Sequence, residues 1–113
     1  MAYTTTVKLA GDTKTYQLSS AIKKYTLMDL GFAKGKSGVF TFERSLDPNT
    51  PYQAAFKLKM AVNADLTAFK MATVTGNGLQ RADIFKNDAH PEAVEQLRFL
   101  LTSFIDRDLL VEV

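Results

Sequence analysis

The sequence predicts one α+β domain spanning residues 1–113, with antiparallel strands and a main helix at about 91–106 packed across them. Several segments alternate apolar and polar residues with a period of two, which is typical of half-buried strands. A single segment near the C-terminus has strong helical periodicity. Neither an internal repeat nor a low-complexity linker interrupts the chain, and its length is that of one ordinary domain.

The N-terminal segment predicts a β-hairpin. Gly11-Asp12 separates two runs of alternating β-forming residues, and a two-residue turn with Gly first fits type II′. The residues expected on the first face are Tyr3, Thr5, Val7 and Leu9, followed by Tyr16 and Leu18 in the second strand.

Residues 19–30 have the weakest periodicity, and two interpretations remain open. Ser19 or Ser20 would cap a short helix that stops at Gly31, or Thr26 would cap a single turn over Leu27–Leu30. Because β-branched residues and tyrosine disfavour a longer helix, we expect a short helical turn.

The segment Gly31–Gly38, GFAKGKSG, invites comparison with a phosphate-binding loop. That loop requires four residues between its first glycine and the Gly-Lys pair, followed by a helix. Here three residues separate Gly31 from Gly35, and the following VFTFER is typical of a strand. The segment therefore predicts a turn between strands.

Two longer strands follow the loop expected at 47–51. In the first, Lys57, Lys59 and neighbouring polar residues face solvent, while the opposite face is apolar and buried. The second, 66–75, has apolar residues on both faces, which predicts an interior strand covered on two sides. A turn at 76–78 then leads into an extended segment at 79–85. The buried face of the first strand comprises Tyr52, Ala54, Phe56, Leu58, Met60 and Val62; in the second, Leu66, Ala68, Ala72 and Val74 oppose Phe69 and Met71.

The main helix begins at Pro91, a residue suited to the first helical turn, with Asp88 or His90 where a cap belongs. Phe99 lies opposite the apolar stripe, where it either contacts a second layer or a partner or is a singly exposed aromatic, and we expect the first. A final strand is expected at 109–113. The stripe comprises Ala93, Val94, Leu97, Leu100, Leu101, Phe104 and Ile105.

Composition excludes several classes of function. The net charge of +2 is too small to identify a partner, and the absence of cysteine excludes disulfides, thiolate metal sites and cysteine nucleophiles. The N-terminus has no signal-peptide pattern, and no apolar run has the length of a membrane span. We therefore expect a cytoplasmic protein that contacts no membrane and requires no metal or cofactor.

Two groups of residues are candidates for function. His90 is the only histidine, with Asp88 and Glu92 near it in sequence, although histidine before a helix proline is more often a structural residue. The stretch 23–40 interleaves basic and aromatic side chains, as single-strand nucleic-acid binding requires, although no nucleic-acid motif accompanies it. Its members are Lys23, Lys24, Lys34 and Lys36 with Tyr25, Phe32 and Phe40.

The segments LMDLGFAKGKSGVFTFERSLDP and FKMATVTGNGLQRADIFKND, followed by the closing helix, resemble a small uncharacterised family from low-GC Gram-positive bacteria. The resemblance covers essentially the whole chain and implies two β-sheets packed around one main helix. It also implies a remote similarity in shape to prokaryotic S-adenosylmethionine decarboxylases, and a role in amino-acid metabolism.

The chain lacks the residues on which the chemistry of those decarboxylases depends. They mature by cleavage before a serine, typically at Glu-Ser, but no glutamate precedes any serine here, and the cysteine that they use is also absent. No catalytic residue can therefore be carried over. The leading hypothesis is a non-catalytic or accessory small-molecule-binding protein of methionine- or S-adenosylmethionine-related metabolism. The alternatives are an RNA- or protein-interaction module using residues 23–40, and an enzyme using His90.

Overall fold

The computed structural model describes residues 3–46, 56–76 and 80–113, and within them no helix is long and apolar enough to cross a membrane. A short 3-10 turn at Lys86–Asp88 precedes the main helix. The elements in chain order are β1 Thr6–Val7, β2 Tyr16–Leu18, α1 Lys24–Asp29, β3 Ala33–Lys34, β4 Phe40–Ser45, β5 Phe56–Val62, β6 Phe69–Thr75, α2 Pro91–Asp106 and β7 Leu110–Glu112.

The strands form two antiparallel sheets, which confirms the predicted α+β class. One sheet has the order β1-β2-β7 and the other the order β3-β4-β5-β6. The N-terminal segment joins them, because Thr4 and Phe69 exchange two backbone hydrogen bonds of 2.9 and 2.8 Å while β1 pairs with β2. Strands from both sheets therefore contribute to one core.

Helix α2 packs its apolar stripe against this core, and its bounds are those predicted. Phe104 lies edge-on to Phe42 of β4, with ring centroids 5.4 Å apart, so the helix covers the inner face of the four-stranded sheet. Phe99 on the far side is 72% exposed, so the expected second layer over it is wrong and the alternative of an exposed aromatic is correct within this chain. Contact of Phe99 with a partner stays a prediction. The buried helix residues are Ala93, Leu97, Leu100, Leu101 and Phe104.

The opening hairpin is present, but its predicted two-residue turn is wrong. Val7 pairs with Tyr16, so residues 8–15 form a longer connection. Its bend contains Gly11 at φ +78°, where the Asp12 N–H donates to the Leu9 carbonyl. Leu9 and Asp12 are both buried, because the connection folds inward to place one in the core and the other against α2.

Helix α1 begins at Lys24, with Lys23 as its N-cap. The predicted caps, Ser19 or Ser20 for the longer helix and Thr26 for the single turn, are therefore wrong. The Ser19 hydroxyl accepts a hydrogen bond from the Ala21 N–H instead of capping the helix. The predicted stop at Gly31 is confirmed, with φ +101°. Phe32 N–H donates to the Leu27 carbonyl and Gly31 N–H to that of Met28, the two bonds of a Schellman motif.

The glycine- and lysine-rich segment is a turn between strands, as predicted. The Gly35 N–H donates to the Val39 carbonyl, and the Gly38 N–H donates back to Gly35. Strand β4 follows directly, so no helix N-terminus stands behind this turn to bind phosphate.

Strand β5 has the predicted faces, with Leu58, Met60 and Val62 buried and Lys59 exposed. Strand β6 begins at Phe69 because Leu66 lies in a turn with φ +58°.

The prediction that β6 is an interior strand is wrong, since β6 ends its sheet and its outer face lines an open cleft. The extended segment after it is confirmed by an isolated antiparallel bridge between Arg81 and Val74. Predictions for residues 47–55, for 77–79 and for the Asp88 side chain fall outside the described part of the chain.

Candidate functional site

The candidate site is a cleft on the outer face of the four-stranded sheet, opposite the face that α2 covers. It has a volume of about 850 Å³, and we call it the outer-face cleft. The described residues that line it are Gly31, Ala33, Thr41, Phe42, Glu43, Lys59, Met60, Ala61, Lys70, Met71, Ala72, Val74, Gln80 and Arg81.

The register of the sheet determines which side chains meet on this face. Residues directly opposite in paired strands point to the same side of a sheet. Thr41, Ala61 and Lys70 form one row across β4, β5 and β6, and Glu43, Lys59 and Ala72 form the next. Small alanines therefore lie between long charged side chains, which leaves room above the sheet.

The charges of the outer-face cleft are unevenly balanced. The Glu43 carboxylate forms two ion pairs, one with the Lys57 ammonium at 3.2 Å and one with the Lys59 ammonium at 3.9 Å. Lys70 places its ammonium 4.9 Å from the centroid of the Tyr3 ring, and Arg81 forms no ion pair with any described residue. The β6 side of the cleft is therefore more positive than the β4 side.

A second polar cluster lies inside the protein between the β1–β2 connection and α2. Two guanidinium nitrogens of Arg98 donate to the two carboxylate oxygens of Asp12 at 2.6 and 3.1 Å, and one also donates to the Tyr16 hydroxyl at 2.9 Å. The Asp12 side chain has no exposed surface, and that of Arg98 is 29% exposed. Arg98 also stacks over Phe85, 5.1 Å from its ring centroid.

The pKa values in this cluster favour the ion pair. Burial opposes ionisation of Asp12, but hydrogen bonds from Arg98 and the Lys14 N–H, with the attraction of Arg98, leave its pKa below the ordinary value. Burial raises the pKa of Tyr16, and the hydrogen bond to Asp12 raises that of Arg98. Each of the three groups is engaged by an ion pair or a hydrogen bond within the cluster, so we assign to the cluster the role of joining the helix to the hairpin.

His90 lies apart from both sites. It is the residue before α2, its side chain makes no capping hydrogen bond, and its ring meets Phe56 with centroids 4.5 Å apart. It lines a separate cleft of about 350 Å³ together with Glu92. Among the described residues no group of three histidines or carboxylates could hold a metal ion.

The basic and aromatic stretch 23–40 does not form the stacking surface that its sequence suggests. Phe32 and Phe40 are buried in the core, and Tyr25 is the exposed aromatic of the three, with the Lys23 ammonium 6.0 Å from its ring centroid. The three rings therefore cannot receive successive bases.

Reading the sequence alone missed Lys70 and Arg81 as candidates. The alternation in β5 predicted that its lysines face solvent. Which side chains of the neighbouring strands lie beside those lysines depends on the register of the strands. The same alternation assigns Lys70 and Ala72 to the solvent side of β6 once Phe69 and Met71 are taken as buried.

Comparisons with known proteins agree with this architecture. A family model described as "DUF1831: Putative amino acid metabolism" matches residues 1–111. The crystal structure of a DUF1831 family protein from Lactobacillus plantarum is 78% identical in sequence, with a TM-score of 0.95 over 100% of this chain and 99% of that one. A search of curated proteins finds no match. The resemblance to an uncharacterised bacterial family is thereby confirmed, whereas the similarity to S-adenosylmethionine decarboxylases stays a prediction.

Proposed function

The chain belongs to the DUF1831 family, and on that premise we propose that it is a non-catalytic small-molecule-binding protein of amino-acid metabolism. The observation that carries the proposal is the outer-face cleft. Its volume of about 850 Å³ lies within the range of small-molecule sites, and it combines an apolar floor with a few charged groups.

The chemistry of the cleft supports binding more than catalysis. Its charged side chains are lysines, an arginine and Glu43, which is already engaged by two lysines. Such groups supply charge and hydrogen bonds to a ligand. His90, the candidate base, lines a different cleft, so it would have to act on a different molecule.

Thermal-shift measurements with the twenty amino acids, S-adenosylmethionine and its demethylated product would test the proposal. A ligand that binds only the folded state at one hundred times its Kd stabilises it by about 2.7 kcal/mol, which is a readily measured rise in Tm. Ala72→Phe, which fills the cleft, should abolish the rise, whereas Thr102→Phe on the exposed side of α2 should not. Flat melting curves with every compound would count against a ligand role.

The methionine-related version of the proposal predicts that S-adenosylmethionine or its product gives the largest shift in this panel. An enzyme matured by self-cleavage predicts instead two fragments by intact-mass measurement, and one unprocessed chain would remove that alternative.

A further inference from the structure

We propose that the outer-face cleft binds an aliphatic carboxylate, such as a branched-chain amino acid or its 2-oxo acid, with the carboxylate held between Lys70 and Arg81. The inference rests on the proposed binding function and adds to it the chemical class and the orientation of the ligand. Its basis is the difference between the two sides of the cleft: the lysines at the β4 side already pair with Glu43, whereas Lys70 and Arg81 at the β6 side form no ion pair with a described residue.

At the β4 side the one carboxylate already pairs with two lysines, which leaves a net charge of +1 there against +2 from Lys70 and Arg81 at the β6 side. Glu43 faces both Lys57 and Lys59, so two lysines share one carboxylate at 3.2 and 3.9 Å. An anionic ligand gains least here, because it would compete with Glu43 for the same ammonium groups. A ligand ammonium would likewise compete with two lysines for Glu43.

At the β6 side the positive charge is uncompensated among the described residues. Arg81 also lines a smaller neighbouring cleft of about 230 Å³, where Lys8 adds a further cation. Among the described residues, those that line the smaller cleft include no acid, and those that line the outer-face cleft include Glu43 as their one acid. An anionic group is therefore attracted to the β6 edge.

The backbone around Arg81 is well positioned for such a role. Thr75 N–H donates to the Gln80 carbonyl at 2.8 Å and Ala82 N–H to the Thr73 carbonyl at 2.9 Å, so the residue is fastened beside Val74. Side chains of an antiparallel pair share one face, which directs the guanidinium into the cleft. Its planar fork can donate two parallel hydrogen bonds to one carboxylate.

Lys70 supplies the second cation from β6, the strand to which Arg81 is bridged. It lies four residues from Val74, about 13 Å along an extended strand, with Ala72 midway. The alanine leaves space between the two long side chains, and they can meet an anion above it. The Tyr3 ring holds the lysine ammonium without neutralising it.

The rest of the ligand is expected to be aliphatic. From Ala72 the floor continues to its diagonal neighbour Ala61, and from there along one row to Thr41 and Ala33, all small side chains. Burial of methyl and methylene groups on this floor adds affinity that a bare anion cannot gain.

Three matched compounds test the assignment on the full chain: L-leucine, 4-methyl-2-oxopentanoate and 3-methylbutylamine, with inorganic phosphate as the bare anion. Affinities are measured by NMR titration of the backbone amides. We expect both carboxylates to bind and to shift amides of β5 and β6, while the amine and phosphate bind at least tenfold more weakly. Arg81→Gln and Lys70→Gln should each weaken carboxylate binding about tenfold, as expected for loss of a charged hydrogen bond. Lys24→Gln, on α1, is the matched control and should change nothing.

The outcomes separate the two proposals. Equal binding of the amine, equal binding of phosphate, or carboxylate binding that both Gln variants leave unchanged would overturn the carboxylate assignment while the binding function stands. Shifts mapped to the outer-face cleft with other ligands alone would do the same. No shift at the cleft with any of these compounds or with the amino-acid panel would overturn both.

Discussion

Replacing Asp12 with alanine should destabilise the protein more than any exposed charge substitution. The change removes both carboxylate oxygens that accept hydrogen bonds from Arg98, at 2.6 and 3.1 Å, and leaves the guanidinium without its anion. Each hydrogen bond to a charged group contributes about 1.5–3 kcal/mol. Because 29% of the Arg98 side chain is exposed, water recovers part of that loss. We expect the free energy of unfolding to fall by about 3 kcal/mol, and Tm by about 10 °C.

Urea unfolding followed by far-ultraviolet circular dichroism at pH 7 provides the measurement. Asp29→Ala is the matched control, because Asp29 also pairs with an arginine, Arg107, but at 3.5 Å and with both side chains about half exposed. The control should lie within about 0.5 kcal/mol of the wild type. A double-mutant cycle of Asp12→Ala with Arg98→Ala should show a coupling energy of about 2 kcal/mol or more.

The effect should depend on pH with a definite sign. The pKa of Asp12 is lower in the folded state than its ordinary value of 3.8. The ion pair therefore stabilises the fold fully above the unfolded pKa, and its contribution disappears as pH falls through the folded pKa. Asp12→Asn should accordingly cost more stability at pH 6 than at pH 2.5. Equal costs at the two pH values, or an Asp12→Ala effect no larger than that of Asp29→Ala, would refute the reasoning.

Two further substitutions test the fold. Gly11→Ala should lower the free energy of unfolding by about 1–3 kcal/mol, because Gly11 has φ +78° and an added Cβ would collide with the Asp83 carboxylate. Gly35→Ala is the control, since its added Cβ would meet only an ordinary contact at 3.6 Å with the Val39 carbonyl. It should cost clearly less in the same denaturation assay. Leu97→Ala should cost about 2–5 kcal/mol because the side chain is fully buried, whereas Phe99→Gln should change stability by less than about 0.5 kcal/mol. Comparable losses for the two helix variants would mean that Phe99 is covered in solution.

Part of the candidate site follows from local sequence pattern. The alternation in β5 correctly assigned Lys59 to the wet face, and the same rule places Lys70 and Ala72 there in β6. The alternation of residues within a strand does not indicate which strands lie side by side in a sheet. Arg81 reaches the cleft through a single bridge to Val74, and no periodicity in a short extended segment indicates that pairing.

The sequence by itself determined helix α2, the turn at 35–38, the stop at Gly31 and the buried faces of β5 and α2. These features depend on interactions among residues close in the chain, such as side-chain periodicity and the conformational freedom of glycine. The tertiary structure alone decided the long β1–β2 connection, the burial of Asp12 against Arg98 and the solvent exposure of Phe99. Asp12 and Arg98 are 86 residues apart, so their energy of interaction appears only once helix and hairpin are packed together.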